Sequence, residues 1–106
     1  MRRFLISMAV AAALPACASP DVARQRELVR MVRQDCGSCH GMALTGGLGP
    51  ALTRAALADK PLDSLEAVIE HGRPGTPMPP WRPLLRAGES RWIAERLLVG
   101  FPEESK

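Results

Sequence analysis

The chain is short and nearly balanced in charge. It has 106 residues, in which 14 Lys and Arg stand against 11 Asp and Glu, so the formal net charge is +3 at pH 7. This balance gives no reason to expect binding to nucleic acid. With only two Trp, two Phe and no Tyr, the chain is limited to one small domain, whose apolar core is marginal unless a bound group supports it.

The N-terminus has the pattern of an export signal. Arg2 and Arg3 form a short basic region, and residues 4–14 are an apolar run of signal-peptide length. The run is too short to span a bilayer as a lasting anchor. We therefore expect residues 1–18 to be removed after export to the periplasm, so that residues 19–106 form the mature domain. Their removal leaves an excess of only one basic residue.

Two cleavage sites compete at the end of this segment. Ala16-Cys17-Ala18 has the small side chains that an ordinary signal peptidase recognises, which places the cut after Ala18. The alternative is a lipoprotein signal over residues 1–16, because residues 14–17 resemble a lipobox. In that case a lipid on Cys17 would anchor the mature protein to the membrane.

A first helix is predicted from Asp21, which is a suitable N-cap, to about Asp35. Apolar residues at helical spacing predict its buried face: Leu28, Met31 and Val32. Three arginines are predicted on the opposite face: Arg26, Arg30 and Arg33. This stripe is either an ordinary solvated surface or a positive region that steers an acidic partner.

The most informative feature is the run Cys36-Gly37-Ser38-Cys39-His40. Two cysteines three positions apart share one face of a helical turn, so both thiols can add to the two vinyl groups of one porphyrin. The adjacent histidine is then placed to become the proximal ligand of the haem iron. Cys-x-x-Cys also serves redox dithiols and zinc sites. The first would need a βαβ context, and the second would need more ligands than the mature chain offers.

The segment after this motif, residues 41–60, is predicted to be a loop. Residues 46–52 read Gly-Gly-Leu-Gly-Pro-Ala-Leu, which does not suit a helix interior, and we expect them to wrap the edge of the haem. A metal-bound histidine usually donates its other ring N–H to an acceptor that fixes its orientation. A backbone carbonyl near Pro50 is the predicted acceptor for His40, although Pro50 can equally serve only to stiffen a turn.

Two further helices are predicted. One covers residues 61–71, with Pro61 in its first turn and Gly72 at its end. Its apolar side is formed by Leu65, Val68 and Ile69. The other covers about residues 88–99, and its apolar side is formed by Ile93, Ala94 and Leu97. Because no stretch alternates as a strand does, the predicted fold class is all-α, with about three main helices around one haem.

The sixth ligand of the iron must approach from the opposite face of the ring, and Met78 is the candidate. It lies in the run Pro77-Met78-Pro79-Pro80, whose prolines exclude helix and stiffen the loop, so less entropy is lost when the sulfur binds iron. His71 is the competitor and would give a lower potential. An open sixth position is the third alternative. With Met78 bound, we expect a low-spin centre of relatively high potential.

These motifs resemble those of the class I cytochromes c over essentially the whole mature chain. The resemblance rests on the Cys-x-x-Cys-His run at residues 36–40, the Gly-Pro-x-Leu run at residues 49–52, and Met78 with its prolines. Residues 46–52 and 72–81 resemble still more closely the small monohaem cytochromes encoded in nitrite reductase operons, the NirC type. The resemblance implies that the first and last helices cross and that one covalent haem c lies in a crevice.

The same resemblance implies an electron carrier and not an enzyme. Its implied redox partner is the nitrite reductase of denitrification that carries haems c and d. The alternatives are an accessory role in maturation of the d-type haem, or service as the haem subunit of another periplasmic dehydrogenase. The remaining haem-pocket candidates are Pro50, Leu52, Arg73 and Trp81. The last two flank the methionine loop, where they can hydrogen-bond a propionate or simply pack the loop.

Electron exchange requires a contact near the exposed edge of the haem. Apolar residues around that edge are expected to dock a partner, with charges around them steering the approach. The candidates are Met42, Ala43, Leu44 and the prolines beside Met78. A haem enzyme or gas sensor would need an open iron site, which the methionine loop argues against. We expect a monomer that has no membrane span and no nucleic-acid partner.

Overall fold

The computed structural model describes residues 7–12 and 19–106. The predicted basic region, the two alternative cleavage sites and Cys17 lie outside these ranges. Residues 7–12 are exposed and have no regular secondary structure. From residue 19 onward the chain folds into α-helices joined by loops, with these bounds: α1 Val22–Met31, α2 Gly37–His40, α3 Arg54–Leu57, α4 Leu62–His71 and α5 Glu89–Val99.

Two helical segments that are not α-helical join these elements. A π-helical turn, Val32–Cys36, connects α1 to α2, and a 3-10 turn, Arg82–Leu84, precedes α5. The described residues contain no β-strand, and the three longest helices are α1, α4 and α5. The predicted all-α class with three main helices is therefore confirmed. Within the described residues, no helix combines the length and the apolar character needed to cross a membrane.

The first helix begins where the sequence predicts. The carboxylate of Asp21 accepts a hydrogen bond from the backbone N–H of Arg24 at 2.8 Å, which is an N-cap. The predicted end at Asp35 is wrong, because the chain continues through the π-helical turn into α2. Helical backbone persists until Gly41, whose φ is 91°. One continuous helical segment therefore carries both cysteines of the motif and His40.

One apolar core joins the two ends of the domain. Its buried side chains come from the first helical segment, the following loop, α3 and α5: Leu28, Val32, Leu44, Leu57, Ile93 and Leu97. Each stabilises the fold by about 1.5–3 kcal/mol on leaving water. Met31, predicted to be buried, is only half-buried. Cys36 packs against the core, and this contact fixes the start of the motif relative to α5.

An ion pair joins α1 to α5. The guanidinium of Arg24 donates two hydrogen bonds to the carboxylate of Glu89, at 2.7 and 2.9 Å. The Glu89 side chain is 4% exposed and also accepts from the backbone N–H of Arg86 at 2.8 Å. The hydrogen bonds from Arg24 hold the pKa of Glu89 below its ordinary value. This carboxylate therefore ties together α1, α5 and the segment that leads into α5.

Arg33 does not lie on a solvated face, so the prediction for this residue is wrong. It is 9% exposed, and its guanidinium donates to the carbonyl oxygens of Phe101 at 2.7 Å and Pro102 at 3.0 Å. Its charge also lies 5.7 Å from the centre of the Phe101 ring. The tail after α5 covers this arginine. The exposed part of the predicted stripe therefore consists of Arg26 and Arg30.

The other two main helices match their predictions to within one residue. Pro61 directly precedes α4, and Gly72 ends it with a φ of 68°. Gly88 precedes α5 in the left-handed conformation. The loop predicted over residues 41–60 is wrong in one part, because α3 forms there. Its N-cap is Thr53, whose side-chain oxygen accepts from a backbone N–H one turn later at 3.2 Å.

Candidate haem site

The two thiols of the motif have different surroundings. Cys36 ends the π-helical turn and is half-buried, whereas Cys39 lies on α2 and is exposed. Burial, with a smaller effect from the Asp35 carboxylate, raises the pKa of Cys36 to about 11. Both side chains are free thiols. They are therefore available for thioether formation.

His40 is oriented by the hydrogen bond that the sequence predicts. Its Nδ1 lies 2.7 Å from the carbonyl oxygen of Pro50. A carbonyl oxygen can only accept, so Nδ1 carries a proton, and in the neutral imidazole the lone pair is then on Nε2. This is the tautomer that a metal ion bound at Nε2 requires. The predicted acceptor near Pro50 is confirmed.

The glycine-rich loop is held against the end of α2 by its own backbone. The N–H groups of Gly46 and Gly49 donate to the carbonyl oxygens of His40 and Cys39, both at 2.8 Å. These bonds satisfy carbonyls that the helix end would otherwise leave unpaired. A Cβ on Gly49 would lie 2.8 Å from Nδ1 of His40, which is closer than carbon atoms approach a ring. The loop therefore needs glycine there to reach the imidazole.

Leu44 faces the core and not a docking surface, so its predicted role is wrong. It is 2% exposed, and its φ of 59° turns the chain back towards the core. Its backbone N–H donates to Gly41 O at 2.8 Å, and its carbonyl accepts from Leu52 N–H at 2.8 Å. The large apolar side chains that the loop does expose are Met42, at 64%, and Leu48, at 96%.

Met78 lies in a loop that returns to the end of α4. The backbone N–H of Trp81 donates to Ile69 O at 3.1 Å, and that of Arg73 donates to Met78 O at 3.2 Å. Gly72 is buried beside the loop, and a Cβ there would lie 2.7 Å from Met78 O. Met78 is half-buried, whereas the prolines on both sides of it are exposed. The loop is thus bound at Met78 to the residue that follows Gly72, and three residues later to α4.

The remaining candidates lie beside these two loops. Leu52 and Trp81 are half-buried, and Leu52 packs against the core. Arg73 and His71 are exposed, and His71 is the last residue of α4. Contact between any of these side chains and a haem stays a prediction.

Two glycines of the site have roles that the sequence did not reveal. The sequence predicts a loop and a family run at Gly49, and a helix end and a family run at Gly72, but no steric role for either. Both lie where backbone approaches a proposed ligand too closely to admit a Cβ. Their position in the sequence could have predicted this role, since each glycine is adjacent to a proline-containing loop that must reach the haem.

These residues fit a covalently attached haem. One helical segment supplies two free thiols and an imidazole whose Nδ1 is bound to a carbonyl, which leaves Nε2 as the nitrogen available to iron; this is the donor set for attachment and proximal ligation. The apolar side of α4 is only half-covered by protein, as suits a face that contacts a flat apolar cofactor: Leu65, Val68 and Ile69. Among residues 7–12 and 19–106, no three or more His, Cys, Asp or Glu cluster to hold a metal ion.

A small all-α domain with this attachment motif defines a c-type cytochrome. The family model described as "Cytochrome C oxidase, cbb3-type, subunit III" matches residues 23–95. The chain belongs to this family of c-type cytochrome domains, whose characteristic cofactor is haem c.

Individual relatives identify the kind of c-type cytochrome that this chain resembles. Cytochrome c55X of Stutzerimonas stutzeri is 54% identical over 90 residues, which cover 85% of this chain and 80% of the relative. The structure of the c-type cytochrome NirC is 56% identical, with a TM-score of 0.73 over 76% of this chain and 94% of that chain. The predicted resemblance to the NirC type is confirmed. With these relatives, the chain stands among electron carriers and not among enzymes.

A similar domain also occurs within a larger protein. The structure described as dihydro-heme d1 dehydrogenase NirN in complex with DHE is 31% identical and has a TM-score of 0.62. The match covers 73% of this chain but only 16% of that chain. The similarity therefore concerns one part of the dehydrogenase.

Proposed function

We propose that the protein is a periplasmic monohaem cytochrome that passes single electrons between partner proteins. One haem c is attached through Cys36 and Cys39, and the axial ligands of its iron are His40 and Met78. The cofactor supplies an iron that alternates between the ferric and ferrous states. The chain contributes attachment, ligand orientation and an apolar surrounding, which together set the reduction potential.

The hydrogen bond from His40 to Pro50 is the observation that carries this proposal. A solvated histidine exchanges tautomers freely, whereas here the proton is held on Nδ1 by a carbonyl 2.7 Å away. The acceptor belongs to a loop whose glycines pack directly against the ring and the motif backbone. Such an acceptor fixes the ring and raises the basicity of Nε2, as expected of an iron ligand.

The ligand set is tested on protein exported by a host that matures c-type cytochromes. We expect a mass increase of one haem that survives denaturation, and a ferric spectrum with the weak red band of methionine sulfur bound to iron. Met78→Ala should remove that band, whereas the control His71→Ala should keep it. Export without an added haem would contradict the proposal as a whole. A band that survives Met78→Ala would assign the sixth position to another methionine, and a low-spin ferric spectrum that lacks the band and changes in His71→Ala would assign it to His71.

The periplasmic location is supported by the export pattern of residues 1–18 and by the need to attach haem outside the cytoplasm. N-terminal analysis of the mature protein provides the test. A chain that begins at Ser19 fits ordinary cleavage. A chain that begins with a lipid-modified Cys17 would instead be anchored to the membrane by that lipid. Retention of the whole segment in the cytoplasm would contradict the proposed location.

Nitrite reductase carrying haems c and d is the partner that the likeness to the NirC type supports. Reduced cytochrome should then be reoxidised rapidly when it is mixed with this reductase in a stopped-flow instrument. A short-lived contact suits such exchange, and it calls for an interface below about 1,200 Å². The exposed Met42 and Leu48 beside the motif fit a contact of this kind. Failure of the reductase to reoxidise the cytochrome would exclude this partner.

The likeness to one part of the dihydro-heme d1 dehydrogenase favours a second role. A dehydrogenation releases electrons, and a cytochrome domain within that protein is suited to accept them. The present chain can accept electrons in the same way from a separate dehydrogenase during maturation of the d-type haem. Reduction of the ferric cytochrome by such an enzyme with its dihydro-haem substrate would support this role. Its reduction at the same rate without the enzyme would count against it.

A further inference from the structure

We propose that the hydroxyl group of Thr76 positions Met78 for binding to the iron. The inference rests on the proposed ligation by Met78 and identifies the residue that prepares that ligand. Three residues of one loop carry it, and all three are connected by hydrogen bonds: Arg73, Thr76 and Met78.

The loop begins with a tight turn over residues 73–76. The backbone N–H of Thr76 donates to Arg73 O at 3.0 Å. Pro74 stands at the second position of the turn, and Gly75 stands at the third with a φ of 79°. A type II turn has this pattern, because its third residue needs a positive φ and its second suits proline. The turn therefore returns the chain at Thr76 towards Arg73.

The Thr76 hydroxyl makes two hydrogen bonds in opposite senses. Its Oγ1 donates to Arg73 O at 2.6 Å and accepts from the backbone N–H of Met78 at 3.3 Å. The backbone N–H of Arg73 donates to Met78 O at 3.2 Å. Both polar backbone atoms of Met78 are thus bound within the loop. A side chain without a hydroxyl group cannot replace the bond to the Met78 N–H.

The neighbouring prolines do not hold Met78 by themselves. Each proline fixes its own φ and removes its own N–H donor, which leaves the loop fewer backbone bonds. Pro79 confines Met78 to extended backbone, but within that range the dihedral angles of Met78 vary unless its N–H and C=O are bound. Holding them lowers the conformational entropy that is lost when the sulfur meets the iron, which is preorganisation of the ligand.

The test measures how often Met78 leaves the ferric iron. Excess imidazole replaces the methionine, and at saturating imidazole the observed rate equals the rate of Met78 dissociation. Thr76→Val removes the hydroxyl at nearly constant volume, whereas Thr76→Ser keeps it. We expect Thr76→Val to speed dissociation by about fivefold to tenfold, the effect of losing one or two ordinary hydrogen bonds. Thr76→Ser should remain close to the unchanged protein.

The outcomes separate this inference from the proposed function. If Thr76→Val shows the methionine band and dissociates at the unchanged rate, the inference is wrong and the ligation stands. If Thr76→Ser is as fast as Thr76→Val, methyl packing and not the hydroxyl holds the loop, and the inference is equally wrong. If the unchanged protein itself lacks the methionine band, both fail. Far-ultraviolet circular dichroism establishes that each variant keeps its helices, and Thr76 is an exposed loop residue.

Discussion

At the scale of single residues, the site depends on two glycines, because the backbone at these positions leaves no room for a side chain. Gly49 lets the loop backbone lie against the His40 ring, and Gly72 lets the chain pass beneath Met78 O. The backbone φ of Gly72 is 68°, so a side chain there is excluded by conformation as well as by space. Gly49 is not in the left-handed region, so the cost of a side chain at this position comes only from its contact with the His40 ring.

Gly49→Ala is expected to disturb the proximal histidine without preventing haem attachment. The added Cβ would lie 2.8 Å from Nδ1, so the ring must move and its bond to Pro50 O weakens. A less basic Nε2 stabilises ferric iron less, which raises the reduction potential. The loss of about 1 kcal/mol corresponds to about 40 mV for one electron. Redox titration followed by absorption spectroscopy measures this shift.

Leu48→Ala is the matched control for that substitution. It lies one position earlier in the same loop, and its side chain is 96% exposed. The substitution removes exposed apolar atoms and does not bring any atom closer to the His40 ring, so the reduction potential should stay unchanged. An equal shift in both variants would mean that loop composition in general, and not contact with His40, tunes the iron.

At the scale of elements, Arg33 shows that a buried arginine can hold a terminal segment. Arg33→Met keeps an unbranched side chain but leaves the carbonyl oxygens of Phe101 and Pro102 without their partner. We expect a loss of about 2 kcal/mol in the free energy of unfolding. Denaturant unfolding of the haem-bound protein provides the measurement.

Arg30→Met is the control, since Arg30 lies on the same helix and its side chain is 71% exposed. Its ion pair with Glu104, at 3.8 Å, is a surface contact. Such pairs contribute about 0–1 kcal/mol. If both variants lost the same free energy of unfolding, burial beneath the tail would not be what makes Arg33 important.

The helices show which information the sequence contains. Asp21, Pro61 and Gly72 mark helix ends through local chemistry, and all three mark the positions found in the structure. The helix end predicted at Asp35 was wrong, because a π-helical turn continues the helical backbone from α1 into α2. The prediction that Arg33 is exposed was wrong for another reason. Its burial depends on contact with a tail about 68 residues away in sequence. Local patterns cannot report such a distant contact.

One local feature of the candidate site, the acceptor for the His40 ring, could be predicted from the sequence. The attachment motif and the acceptor for His40 are set by short-range spacing, and Pro50 is only ten residues from His40. Leu44 was misplaced because its φ of 59° is unusual for leucine and turns the side chain inward. Leu44 was predicted on a docking surface because it lies close to the motif, whereas its side chain is buried in the core.

The contact between α1 and α5 predicts how stability depends on pH. The pKa of Glu89 is lowered in the folded protein, so its bonds with Arg24 stabilise the fold above the ordinary glutamate value of 4.5. That stability is lost as the pH falls below this value and through the lower folded pKa. Glu89→Gln should therefore unfold about 1–2 kcal/mol more easily at pH 7. The difference from the unchanged protein should shrink as the pH falls towards 3, near the low end of ordinary carboxyl pKa values.

Glu27→Gln provides the comparison, because Glu27 pairs with the same arginine but its side chain is 64% exposed. Unfolding followed at several pH values should show little change for this variant. A pH dependence as large as that of Glu89→Gln would mean that the charge of Arg24, and not the buried pair, stabilises the join between the helices.

At the scale of the whole molecule, the loop that follows the motif carries no charge. Residues 41–53 contain no charged side chain, and they expose Met42 and Leu48. The loop that carries Leu48 is bonded to the carbonyl oxygens of Cys39 and His40. Because Arg33 is buried, the exposed members of the predicted arginine stripe are Arg26 and Arg30. Docking at this loop should therefore depend on apolar contact more than on steering by charge.

Leu48→Asp is expected to slow electron exchange with the redox partner while the absorption spectrum and the reduction potential stay unchanged. The new charge must be desolvated in an apolar contact, so we expect a decrease of about tenfold in the second-order rate constant. Stopped-flow mixing at several salt concentrations measures it, and the rate for the unchanged protein should vary little with salt. Val22→Asp introduces the same charge at a 65% exposed position, about 20 Å along the helical segment from Cys36. Equal slowing by both substitutions would place the contact elsewhere, because only net charge would then matter.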